Sequence, residues 1–214
     1  MPDAIIAETA TMSENCYVYV NCPFDDAYSQ SLDAILFTIV VCGFEPRSPV
    51  EHGRVCEPRI QRINDALFSS RYSIHDLSRC LGEGPGNLAR FNMPLELGMA
   101  IALQRVTAHD WLALIPEGRA HLQFASNLAG FDLLAHDGTP EKVAAAVGFW
   151  LSHHRGARRV SERVLLGALP TFQYQRFWLG VDFPTFGPPW KDVVVAAREI
   201  AQECWKEDGQ TDPV

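Results

Sequence analysis

The chain has 214 residues, 47% of them hydrophobic and 21% charged, a globular composition long enough to bury a full core without metal or disulfide staples. Its formal net charge of −8 argues against general binding to nucleic acid, whose phosphates need Lys and Arg in local excess. No apolar run reaches the roughly 18 residues that span a bilayer, and the start, MPDAIIAETATMSEN, lacks a basic segment before a signal-like apolar core. These features predict a cytoplasmic protein with no membrane partner.

Residues 1–14 are small and polar, show no period, and read as a flexible N-terminal arm. The run CYVYVN then predicts a buried parallel strand, which opens into a loop at Cys22-Pro23-Phe24-Asp25-Asp26. Over residues 28–42, Leu32, Ile35, Leu36, Ile39 and Val40 recur at helical spacing, and Gly43 supplies a left-handed cap. Residues 44–48 form the second predicted strand, stopped by Pro49. Pro58 suits the first turn of a helix running to about residue 69, with Ile60, Ile63, Leu67 and Phe68 turned inward.

The stretch 71–103 reads as a strand ending in Asp76, a Gly-rich loop and a helix. Asn92 or Met93 caps that helix, Pro94 lies in its first turn, Glu96 falls near its third position, and Leu95, Leu97 and Met99 face protein. A fourth strand is expected over 111–116, a helical piece around 121–128 and a fifth strand near 131–135. After Asp137-Gly138-Thr139-Pro140, Val143, Ala144, Val147 and Trp150 make the next apolar stripe.

Five strands separated by helices imply an α/β fold: a five-stranded parallel sheet in the flavodoxin-like order 2-1-3-4-5, with right-handed crossovers and helices on both faces. This α/β domain covers residues 15–154. From 155 to 214 the character changes to an arginine cluster, the aromatic run FQYQRFW, several prolines and an amphipathic helix over 191–206. We read this as a C-terminal extension packed on the core or on a dimer partner.

In such a sheet ligands collect beyond the carboxyl ends of the strands, at the switch point between strands one and three, and a helix N-terminus there attracts anions. That rule selects Asn21, Pro23, Phe24, Asp25 and Asp26 after the first strand. It selects Asp76, Ser78 and Arg79 after the third, and Asn92, Met93 and Glu96 where the next helix begins. Glu96 is the sharpest catalytic candidate; its plain alternative is a first-turn acid that returns a hydrogen bond to the cap. Asp76 either stops its strand by bonding its own loop, or holds a ribose hydroxyl and passes a proton. Arg47, Arg79 and Arg90 are candidates to meet phosphate, and His75 is expected to pack within the sheet. The six cysteines show no CxxC pairing and no zinc-like His spacing, so they read as free thiols, and neither metal nor cofactor is called for. There is no GxSxG, Walker loop or HExxH, and LGEGPG is not a dinucleotide fingerprint.

The segments YVNCPFDD, YSIHDLS and NMPLELGMAIA resemble the nucleoside 2-deoxyribosyltransferase-like and TIR-like superfamily of bacterial proteins. SNLAGFDLLAHDGTPEKVAAAVGFWL resembles the last strand and helix of the same proteins, so the likeness covers about residues 16–154. The resemblance implies that Glu96 stands where deoxyribosyltransferases keep their nucleophile and TIR-type NAD hydrolases their essential Glu. It also implies that Asp76 orients the sugar while the first-strand loop closes over base or phosphate. The implied partners are a nucleotide, nucleoside or NAD and a second copy in a homodimer; the implied setting is bacterial antiviral defence signalling. N-glycosidic bonds break through an oxocarbenium-like state that a carboxylate stabilises or captures, and a well-placed charge contributes about 3 to 4 kcal/mol. Two alternatives share the fold: a nucleotide-sensing module that cuts nothing, and a TIR-like interaction protein that acts by assembly.

Overall fold

The computed structural model describes residues 16–51, 56–79, 91–118, 126–185 and 187–209. Alternating side chains of the first strand, β1 (Tyr17–Asn21), send Val18 and Val20 to one side of a sheet and Tyr19 to the other. β2 (Glu45–Arg47), β3 (Tyr72–Asp76), β4 (Asp110–Pro116) and β5 (Leu134–His136) complete it. All pairings are parallel and the order is 2-1-3-4-5, as the strand and helix alternation predicts.

Two helices, α2 (Arg59–Phe68) and α3 (Asn92–Gln104), cover the Tyr19 side. The Val18 side carries α1 (Ser29–Val41) and α4 (Pro140–Leu151), and over them lie α5 (Glu162–Asp182) and α6 (Trp190–Glu207). From Ser31 onward α1 is buried along its whole length, because the sheet covers one face and α4, α5 and α6 cover the others. A helix apolar all round is what such a central position requires.

The C-terminal segment belongs to this same core. Phe172 of α5 is fully buried and stacks on Phe37 of α1 with ring centroids 5.1 Å apart. The Trp205 indole of α6 donates to the Val41 carbonyl at 2.8 Å, and the Arg158 guanidinium lies 3.8 Å over its ring. The aromatic run read above as part of a C-terminal extension is the second half of α5, a 21-residue helix that carries Pro170 in its interior.

Several local expectations need correction. Ile60 and Phe68 are exposed, and α2 faces the sheet with Ile63, Ala66 and Leu67. Phe68 is one residue, about 100°, round the helix from Leu67, and Ile60 lies in the first turn. In α3 the inward stripe is Met93, Glu96, Leu97 and Ala100, a spacing of three and four, so Leu95 points to solvent. The fifth strand lies at Leu134–His136, after a turn in which Gly130 takes φ 100°. Of the helical piece expected around 121–128, Ser126–Leu128 forms a short 3-10 turn; residues 119–125 lie outside the described residues, as do the N-terminal arm, Cys80 and Arg90. Cys22, Cys42 and Cys204 are buried free thiols, whereas Cys16 and Cys56 are exposed. Among the described residues no helix is long and apolar enough to cross a membrane.

Candidate functional site

Glu96 occupies an inward position of α3 that its neighbours fill with apolar side chains. The helix starts at Asn92 with Phe91 at its cap, so Glu96 is the fifth helical residue, two residues beyond the third position expected for it. Its side chain is directed into the protein at 2% exposure, where Oε2 accepts the Tyr19 phenol hydrogen at 2.7 Å. Burial raises the Glu96 carboxyl above its usual value, while the phenol and the Arg59 guanidinium pull it down. Tyr19 is itself fully buried, and that burial together with the Glu96 charge pushes its hydroxyl far up, so it stays a donor. No hydrogen bond to Oε1 occurs among the described residues.

Beside this pair runs a chain of buried polar groups whose direction is set by its ends. Asn21 pairs in register with His75, and Tyr19 with Ser73, so all four face α3. The Asn21 amide donates one hydrogen to the Met93 carbonyl at 3.0 Å and the other to His75 Nδ1 at 2.9 Å. His75 Nε2–H then donates to Ser73 Oγ at 2.8 Å, and the Ser73 hydroxyl to His109 Nε2 at 2.8 Å. His109 Nδ1–H ends the chain on the Ser70 carbonyl at 3.0 Å. Each ring nitrogen has one permitted role, so both rings must be neutral. Burial agrees: it lowers His109, and together with His109 it takes His75 down to about 3. The chain ties the start of α3 to the middle of the sheet.

Asp76 has the same parity as Tyr72 and Ile74, so its side chain leaves β3 on the α1 side, opposite the face that α3 covers. Its carboxylate has no exposure and accepts three hydrogen bonds: Tyr28 hydroxyl at 2.5 Å, His136 Nε2–H at 2.9 Å and Ser78 N–H at 2.7 Å. Gly138 N–H occupies His136 Nδ1 at 3.1 Å, which leaves the ring hydrogen on Nε2, with Ser78 Oγ 3.2 Å away. Asp76 therefore gathers the turn before α1, the end of β3 and the end of β5. Cys22 marks where the two acids come nearest in effect. Desolvation pushes its thiol well up, and the charges of Asp76, Glu96 and Asp25 push it further.

Of the other expected site residues, Asn21 and Met93 join the Glu96 side, and Ser78 joins Asp76. Asp25 caps the turn Asp26–Tyr28 by accepting from Tyr28 N–H at 3.1 Å, and it lies 3.5 Å from the Arg79 guanidinium. Pro23 is buried and Asn92 is exposed. Phe24, Asp25 and Asp26 line a cavity of about 570 Å³ that runs toward Arg176 and Phe183 of α5 and its end. Another, of about 780 Å³, lies between β2 and the start of α6, where Arg47 is held by a bidentate pair with Glu51. Neither Glu96 nor Asp76 lines either cavity. Among the described residues no three His, Cys, Asp or Glu stand close enough to hold a metal ion.

Sequence reasoning missed Tyr19, Tyr28, His109 and His136. Tyr19 was within reach, since positions 19 and 21 share a strand face. Tyr28 and His136 come to Asp76 from 48 and 60 residues away, and no local pattern marks them. No family model matches the chain, and no curated protein matches it either.

Proposed function

We propose that the protein cleaves or transfers at the N-glycosidic bond of a nucleotide, nucleoside or NAD, with Glu96 as the group that meets the anomeric carbon. The observation that carries this is a carboxylate set in an inward, otherwise apolar row of α3 and steadied through one oxygen by a buried phenol. Burying an acid costs stability that an apolar residue at the same place would not, and such costs cluster at working sites. Tyr19 holds Oε2, which leaves Oε1 as the atom that approaches C1′. As Oε1 bonds to C1′, the C1′–N bond breaks and its electron pair leaves with the base, which takes a proton from water when it leaves as an anion and none when, as nicotinamide, it leaves neutral. Water or a second base then displaces Glu96 from C1′. Asn21 and Met93 fix the start of α3 over this position. Asp76 enters as a positioning residue, because its carboxylate oxygens are already committed to three donors.

The test is incubation of the purified chain with NAD, ribonucleosides and 2′-deoxyribonucleosides, with chromatography for free base. Wild type releases base from at least one of them, and Glu96→Gln lowers the rate about 100-fold or more. Release that survives the substitution, or no release from any substrate, refutes the proposal.

The closure of both acids favours a second reading, a nucleotide-sensing module of the same fold, since Glu96 is 2% exposed and Asp76 fully buried. It predicts saturable nucleotide binding by calorimetry with no base released.

A further inference from the structure

Two apolar faces run along α5, and one of them has nothing over it among the described residues. Val164, Leu165, Leu169 and Phe172 are buried against α1 and its neighbours. In the second half of the helix, Tyr174, Phe177, Trp178 and Val181 follow the spacing i, i+3, i+4, i+7 and stand 63%, 62%, 50% and 49% exposed. The rings touch one another, Tyr174 with Trp178 at 6.1 Å and Phe177 with Trp178 at 5.6 Å between centroids, both edge to face. At roughly 150 to 250 Å² for each aromatic side chain, the stripe and the neighbouring Phe183 present about 500 Å² of apolar surface, as large as single patches on monomers become.

We propose that this stripe is the docking surface for a second copy of the chain, α5 against α5 about a two-fold axis. Its area fits: a stable dimer needs about 800 Å² from each partner, of which about two-thirds is apolar in homodimers. Its spacing fits too. An antiparallel two-fold contact sets Phe177 against the partner's Trp178 and Tyr174 against the partner's Val181, so the row of four is complementary to itself. The charge also permits it. Two copies with a net charge of −8 repel each other in general, yet from 173 to 183 the ionised side chains are Arg176 and Asp182, which sum to zero. A cavity of about 500 Å³ between α1 and α5, walled by Asp26, Asp33, Arg176 and Phe177, opens beside the stripe and is covered by such a partner.

This inference does not depend on Glu96, and its test is separate. Sedimentation equilibrium of the full chain, from low micromolar to about 100 µM, reads twice the monomer mass of 23.8 kDa. The double variant Phe177→Glu with Trp178→Glu dissociates at least about 100-fold more readily and keeps the wild-type circular dichroism. Tyr174→Arg, a single change at an exposed site, moves the constant the same way if the double variant folds poorly. A wild type that stays at 23.8 kDa throughout overturns the proposal, and binding of that monomer to phosphatidylcholine and phosphatidylglycerol vesicles reassigns the stripe to a lipid surface. A dimer that survives both the double variant and Tyr174→Arg overturns it as well.

Discussion

Tyr19→Phe removes one oxygen and little else, so it isolates the contact on which the candidate site is built. The phenol donates to Glu96 Oε2 at 2.7 Å, and both residues are at most 2% exposed, so water cannot readily replace the lost donor. A hydrogen bond to an ionised group contributes about 1.5 to 3 kcal/mol, a neutral one about 0.5 to 1.5. The cost of the substitution therefore depends on whether Glu96 is charged. In the folded chain burial raises the Glu96 carboxyl above its usual 4.5, so the fold favours the protonated acid. Its contribution to stability is fully present below that usual value and is lost as pH rises through the raised one. Without the phenol the raised value climbs further, by about one unit for each 1.4 kcal/mol of bond lost. Urea unfolding followed by tryptophan fluorescence should give a Tyr19→Phe cost of about 0.5 to 1.5 kcal/mol where Glu96 is protonated, rising with pH to about 1.5 to 3 kcal/mol where it is ionised. In a Glu96→Gln background the pH dependence of that cost should vanish, which closes a double-mutant cycle on the pair. A cost that falls as pH rises in the wild-type background, or that stays below about 0.5 kcal/mol throughout, would refute the electrostatic account of the site.

Asp76→Asn keeps the shape of the side chain but turns one acceptor oxygen into a donor amid three donors. It should cost about 2 to 4 kcal/mol in urea unfolding, with base release falling along with stability; full stability with lost release would instead make Asp76 a catalytic group. Phe172→Ala empties a fully buried site against Phe37 and should cost about 3 to 5 kcal/mol. On calorimetry it should lower the single unfolding transition by about 10 °C; a separate low-temperature transition for the C-terminal helices would show that they are not part of one cooperative core.

The relation between the acids shows how legibility divides. Both were visible as candidates, because an acid at a strand end and another at a helix start are places where a parallel sheet keeps ligands. Their separation was not visible. Strand parity puts His75 on the α3 side and Asp76 on the α1 side, and this matters only once β3 is known to lie mid-sheet with helices on both faces. Leu95 and Glu96 make the same point within one helix. Helical spacing from Met93 to Leu97 and Ala100 already places Glu96 on the inward row, but which row is inward depends on where the sheet lies. The C-terminal segment hid a 21-residue helix because Pro170 and a dense aromatic run break the usual amphipathic signature. With one apolar face in its first half and another in its second, no single stripe marked it.

From its residues alone this chain declared an α/β architecture and its strand order. Those properties follow from local periodicity, turn chemistry and the handedness of crossovers, all of which act over a few residues. The tertiary structure alone decided which groups meet: Tyr19 with Glu96, Tyr28 and His136 with Asp76, Asn21 with the Met93 carbonyl. Hydrogen bonds and burial join side chains 48 to 77 residues apart. Such contacts come from the packing of whole layers, to which no short stretch of sequence is sensitive.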